Sequence, residues 1–186
     1  MYFVGLSGPP RSGKDSIGAA LAIKLRSHGG RVQLIALSMP MRKAIYAAMG
    51  IEYSVEHYEL HKDMPLDIFG GSTIRQEMIQ FSETFIKPRL GHDFWARAGL
   101  NSAQSSRNVL IVTDMGFDSE VVIFESALGP ENCVWAQVER ENTDFSNDSR
   151  NYCRGVRNTL IVNDSDVDTA AARLYGRLVN QFAWTF

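Results

Sequence analysis

At 186 residues, 45% hydrophobic and 22% charged, the chain is long enough for one domain with a sizeable core and too short for two ordinary ones. With 19 Lys and Arg against 21 Asp and Glu the net charge is −2, which excludes a broadly basic nucleic-acid binder and leaves only a local patch for such a contact. No run approaches the roughly 20 apolar residues of a membrane span. "MYFVGLSGPP" lacks a charged leader, and Cys133 and Cys153 lack metal-ligand spacing, so a cytoplasmic protein with two idle thiols is expected.

In chain order, "MYFVGLS" (1–7) is short, apolar and stops at Gly8, as a buried strand does. A helix follows the glycine loop, with Ile17, Leu21 and Leu25 on one face and "HGG" (28–30) at its end. "RVQLIALS" (31–38) predicts a second strand, and "MRKAIYAAM" (41–49) a helix entered through Pro40 and closed by Gly50. Residues 51–72 are mixed and polar. Ser72 or Thr73 caps the next predicted helix, with Glu77 as reciprocal cap, Ile74, Met78, Phe81 and Phe85 on one face, and Pro88 as its interruption. "LGHDFWARAGLNSA" predicts a further helix, "NVLIVTD" (108–114) a strand, and "SEVVIFESALG" (119–129) a helix. "CVWAQVE" (133–139) and "NTLIVND" (158–164) complete five strands, and Val167, Ala171, Leu174, Leu178 and Phe182 line a closing helix. Strands alternating with helices predict an α/β fold of three layers, a five-stranded parallel sheet flanked by helices.

The stretch "GPPRSGKDS" (8–16) follows the pattern G-x-x-x-x-G-K-[ST] up to its last letter. Glycines let backbone N–H groups curl around phosphates, and the lysine neutralises the outer phosphate oxygens. ATP-binding candidates are therefore Gly8, Arg11, Ser12, Gly13, Lys14, Asp15 and Ser16, with Asp15 where a hydroxyl is usual. A carboxylate there suits Mg²⁺, which prefers oxygen ligands, and Asp114, ending an apolar strand, is the expected second acid. The candidate metal set is Asp15, Ser16 and Asp114, and the candidate catalytic set Lys14, Asp15, Arg75 and Asp114. The polar segment "RENTDFSNDSR" (140–150) places Arg140 and Arg150 where a lid over about 140–157 would carry charge to a γ-phosphate.

Arg42, Lys43 and Arg75 lie near predicted helix starts, where the dipole disfavours cations unless an anion is bound, and they are candidates for holding an acceptor. His92, Trp95, Phe81 and Phe85 are either a base pocket or core. Asp93 and Trp95 complete the acceptor candidates, within an insert at about 51–107 of a single domain spanning 1–186. Lys87, Arg89, Arg97 and Arg107 are the residues from which a local basic stripe could be built.

Taken together, "GPPRSGKDS", "SMPMRKAI", "TIRQEMIQF", "GHDFWA", "VTDMGF" and "VNDSD" resemble, in order and over nearly the whole chain, the phage deoxynucleoside monophosphate kinases, P-loop NTPases of the nucleoside monophosphate kinase-like type. The resemblance implies that Lys14, Asp15 and Ser16 serve ATP and Mg²⁺ and that Arg75 and its helix serve the acceptor. The family commonly reads D-x-R-F-x-x-E where this chain has "DMGFDSE", so Gly116 replaces an arginine and a phosphate-gripping charge is expected to be missing. "FSETFIKPRLG" (81–91) and "DFSNDSR" (144–150) also depart from the family, and these variants resemble the phage branch that phosphorylates 5-hydroxymethyluracil within DNA. An alcohol acceptor needs a base, with Asp15, Asp93 and Asp114 as candidates, and a pocket for a flipped pyrimidine, whereas a dianionic dNMP needs arginines. A dNMP kinase is the alternative. A nucleotide-binding regulatory module is a third, although no N-K-x-D sequence for guanine is present.

Overall fold

The fold comes from a computed structural model that describes residues 1–146 and 148–186; Asn147, inside the lid-like segment expected at 140–157, lies outside the described residues. The elements in chain order are β1 (Tyr2–Ser7), α1 (Lys14–Ser27), β2 (Val32–Ile35), α2 (Met39–Ala48), α3 (Val55–His61), α4 (Ile74–Phe81), α5 (Lys87–Leu90), α6 (Phe94–Asn101), β3 (Val109–Met115), α7 (Asp118–Leu128), β4 (Cys133–Glu139), β5 (Asn158–Val162) and α8 (Val167–Asn180). They fall into two compact units, Met1–Leu37 with Ala96–Phe186, and Ser38–Trp95, where the sequence suggested an insert at about 51–107.

The larger unit holds a five-stranded, fully parallel sheet in the order β2-β3-β1-β4-β5. Alternation along β1 explains why both faces are covered. Val4 and Leu6 join Ile17, Leu21 and Leu25 of α1 and Leu174 and Leu178 of α8 in one buried cluster. Phe3 points the other way, its ring stacked 4.2 Å from Phe124 of α7 and 5.1 Å from Trp135. Strands buried on both faces read as continuous apolar runs, which is why β1, β3 and β4 were legible without alternation.

The β1–β3 pairing slips at one place: between Gly5↔Val112 and Ser7↔Met115, β1 spends Leu6 where β3 spends Thr113 and Asp114. A bulge of this kind re-aims a side chain at the end of a strand, here that of Asp114. Both cysteines are buried and free. Burial, aided by Glu125 and Glu131, pushes the Cys133 thiol up to about 12, and burial raises Cys153 as well, so neither is a reactive thiolate.

In the smaller unit α2 packs on α4, with Met41, Tyr46, Tyr58, Ile74 and Met78 buried. Thr73 caps α4, but the reciprocal partner is Gln76 rather than Glu77, because the box closes on the third helical residue. Pro88 does not interrupt the helical run as the sequence suggested. Ser82–Ile86 form a π turn that leads into α5, and Pro88 stands at the start of α5 where its missing N–H costs little. Helix α2 likewise begins two residues before the expected start, at Met39, so Arg42 lies a full turn inside and its N–H donates to Ser38 O at 3.0 Å.

Candidate phosphate-binding site

The loop from Gly8 to Gly13 joins β1 to α1, and its turn depends on two residues in left-handed conformations, Arg11 at φ 65° and Gly13 at φ 90°. Gly13 needs to be glycine for a second reason: a Cβ there would strike the Asn163 Nδ2. Asn163, just past β5, donates from that nitrogen to Ser12 O at 2.8 Å and so ties the loop to the far strand. The sequence shows only an asparagine directly after the apolar run, counted there into the strand; its burial and its bond to Ser12 come from the fold.

Lys14 opens α1 and is only 6% exposed, with its Nζ donating to Pro9 O at 3.2 Å. Its proton is held less firmly than usual, first because of burial and then because of the Arg150 guanidinium, against the opposing pull of Asp15, Asp114 and Asp148. Arg150 shows the reverse balance. Burial works against its charge, but the hydrogen-bonded Asp148, with Asp114 and Asp15, outweighs it and raises the pKa. Asp148 in turn is held below the usual carboxylate range because the Arg150 bonds overcome its own burial. Two cations and three carboxylates thus share one neighbourhood at the start of α1.

Asp114, on the bulge of β3, accepts from the Leu37 N–H at 2.7 Å. Asp15 and Ser16 are exposed on the first turn of α1. Arg140 is exposed and donates from Nη1 to Arg11 O at 3.3 Å, against the loop itself. The structure therefore brings together Lys14, Asp15, Asp114, Arg140 and Arg150 around the loop of Gly8, Arg11, Ser12, Gly13 and Ser16.

The Arg150 aliphatic stem lies across Gly116: an added Cβ would come within 2.5 Å of Arg150 Cγ. Local sequence could not show this, since the two residues meet only through the fold.

The acceptor candidates belong to the smaller unit. The Arg42 guanidinium lies 4.4 Å over the ring of the buried Tyr58. Arg75 donates from Nε to Asp63 Oδ1 at 2.6 Å. The Tyr58 hydroxyl holds its proton more tightly than usual, mainly through burial, although Arg42 and Arg75 both oppose that shift. Lys43 and His92 are exposed and Asp93 is half-buried. Trp95 is 8% exposed with its Nε1 donating to Ser82 Oγ at 2.9 Å, so it is packed inside rather than displayed for stacking. Phe81 and Phe85 stack on each other at 5.5 Å, and Phe85, 48% exposed, carries the Arg89 guanidinium 4.2 Å over its ring. Lys87 is buried and ion-paired with Glu83 at 2.5 Å, which removes it from the basic stripe drawn from the sequence.

The loop's chemistry suits nucleotide phosphates and a divalent cation. Gly13 has no side chain with which to cap α1, so the helix's first N–H groups and its positive dipole end are suited to an anion. Ser12 Oγ is buried and has no protein partner among the described residues. No group of three or more metal-ligating side chains occurs among the described residues, and Mg²⁺ needs none: it is commonly held by one or two carboxylates with phosphate oxygens and water. Asp15 and Asp114, with Ser16, are the residues that would hold it.

No family model matches the chain, and no curated protein matches it. Among solved structures, the crystal structure of APE1195 is similar at 14% identity and a TM-score of 0.52, covering 97% of this chain and 96% of that one. The APS kinase CysC of Mycobacterium tuberculosis, in complex with AMPPNP and APS, is similar at 12% identity and a TM-score of 0.51, covering 95% and 96%. At such identities the likeness is one of fold, and the fold is an α/β P-loop NTPase fold: a five-stranded parallel sheet with its phosphate-type loop after β1. No helix among the described residues is long and apolar enough to cross a membrane.

Proposed function

We propose that the chain is an ATP- and Mg²⁺-dependent phosphotransferase whose acceptor is the hydroxymethyl group of 5-hydroxymethyluracil in DNA. The observation that carries the phosphotransferase reading is Lys14, buried at the start of α1 in one charge cluster with Arg150, Asp15 and Asp114. The APS kinase of similar fold was solved with AMPPNP, which supports a nucleotide in the corresponding loop. Lys14 and the first N–H groups of α1 would bind the phosphates and orient the γ-phosphoryl group, and Arg150 would meet the charge that develops on its oxygens. The metal, when bound, neutralises phosphate charge. An alcohol acceptor also needs a carboxylate to take its proton, and Asp15, Asp93 and Asp114 are available.

The DNA acceptor rests on the resemblance of "DMGF", "FSETFIKPRLG" and "DFSNDSR" to that phage branch. A second reading, a dNMP kinase, is favoured by one specific observation: Arg150, whose stem lies across Gly116 and whose charge acts on Lys14, would take the place of the arginine the family carries at 116, so the argument from a lost arginine weakens. Labelled ATP given with hydroxymethyluracil-containing DNA or with each free dNMP separates them. Label in the DNA is expected; label confined to the mononucleotides selects the second reading, and stoichiometric ATP binding without transfer selects a regulatory module.

On the shared ATP reading, Asn163→Ala unties Ser12 O and weakens AMPPNP binding about tenfold, as a lost hydrogen bond to a buried carbonyl does. Isothermal titration checks this, and unchanged affinity would show that the loop holds its shape without Asn163.

A further inference from the structure

We propose that Gly116 is a positioning residue: by lacking a Cβ it seats Arg150 as the guanidinium that reads the γ-phosphate, with Asp148 setting the plane of the fork. The inference rests on the reading of the β1–α1 loop as an ATP site and adds to it a residue whose contribution is an absence of bulk.

A Cβ built on Gly116 would lie 2.5 Å from Arg150 Cγ and 2.6 Å from both Cβ and Cδ. These atoms are the root of the side chain, not its free end, so no rotation of the guanidinium relieves the clash and the backbone at 150 would have to move. That backbone is fastened to the same glycine, because Asn151 N–H donates to Gly116 O at 2.9 Å. Gly116 cannot yield instead: its own N–H donates to Glu120 Oε2 at 2.9 Å, and so does the Phe117 N–H at 3.1 Å. A methyl group at 116 therefore displaces Arg150 rather than the strand end.

Beyond the glycine, the Arg150 fork is held on one edge. Nε donates to Asp148 Oδ1 at 2.8 Å, Nη2 pairs with Oδ2, and the Arg150 backbone N–H also donates to Oδ1 at 2.9 Å. The pair is mostly out of solvent, with side-chain exposures of 22% and 12%. Two side chains so close in sequence move as one body, with the fork's geometry set in advance. Ser7, the last residue of β1 before the loop, pairs with Met115, and its Oγ accepts from the Cys153 N–H at 3.1 Å, so Gly116 and Arg150 stand where the loop begins, and the Arg150 charge acts on Lys14. A terminal phosphoryl group adds charge that a diphosphate lacks, so a guanidinium set beside Lys14 at the loop favours the triphosphate, and Arg150 is the reader of that group.

The experiment measures AMPPNP and ADP affinities, with Mg²⁺, by isothermal titration on the whole chain. Wild type is expected to prefer AMPPNP. Arg150→Ala and Gly116→Ala each weaken AMPPNP about tenfold or more and leave ADP within about twofold, as expected for loss of one charge-assisted contact. The double variant is expected to bind no more weakly than Arg150→Ala alone, since Gly116 acts only through Arg150. Asp148→Ala, which leaves Gly116 untouched, weakens AMPPNP in the same direction. An additive loss in the double variant, equal losses for the two nucleotides, or an unchanged preference in Gly116→Ala or Asp148→Ala would overturn the proposal. Wild-type protein that binds neither nucleotide overturns the ATP reading itself and this inference with it.

Discussion

Lys14→Ala is expected to lower phosphoryl transfer by a factor on the order of 10³ while the protein keeps a cooperative melt, because on the proposed reading Lys14, the first residue of α1, is the cation that meets the transferring phosphate. The side chain is buried, and truncation removes one of the cations that balance Asp15, Asp114 and Asp148. Lys14→Met separates the two effects: it keeps the packing stem and removes the charge, and it should cost transfer as much as alanine does. Initial rates with labelled ATP and a circular-dichroism melt are the measurements. A methionine variant that transfers at near wild-type rate would remove Lys14 from the chemistry.

Asp114→Asn lowers transfer on the order of a hundredfold, and Asp114→Ala lowers it further while also destabilising the fold. The asparagine keeps an oxygen for the Leu37 N–H at the end of the bulged strand, so it isolates the loss of carboxylate charge. Alanine additionally leaves that N–H without its acceptor, a cost of about 1–3 kcal/mol where the donor is buried. Urea midpoints for the two variants, set beside their rates, check the separation. Equal rates in Asp114→Asn and wild type would mean that the acid's role is structural.

How far these residues were legible depends on whether their partners are near in sequence. The strand at 133–139 was read to the residue, because a chain buried on both faces is apolar throughout. The glycines and Lys14 were legible because loop chemistry is local. Asp114 was found from its place after an apolar run, yet the bulge that aims it arises from pairing with Leu6, across the sheet. Asn163 and Ser12 meet across 151 positions of chain, and no periodicity records such a contact. Gly116 was read by its missing side chain, as a lost charge, when the fold uses the same gap to admit Arg150. In the smaller unit the Pro88 signal was genuine, but the π turn over Ser82–Ile86 absorbed it, an adjustment that depends on how the turn packs.

The strand order β2-β3-β1-β4-β5 also fixes a schedule for synthesis. Both neighbours of β1 come late: roughly a hundred residues of chain separate Tyr2 from Val109, the start of β3, and β4 begins only at Cys133. At about 5–20 residues per second, β1 waits on the order of 5–20 s for its first sheet partner. During that interval Phe3, Val4 and Leu6 have no sheet to enter, and the loop that follows them has no frame. The segment with the clearest sequence signature is therefore among the last to acquire its shape, and the nascent chain carries an exposed apolar strand that a ribosome-associated chaperone is suited to shield.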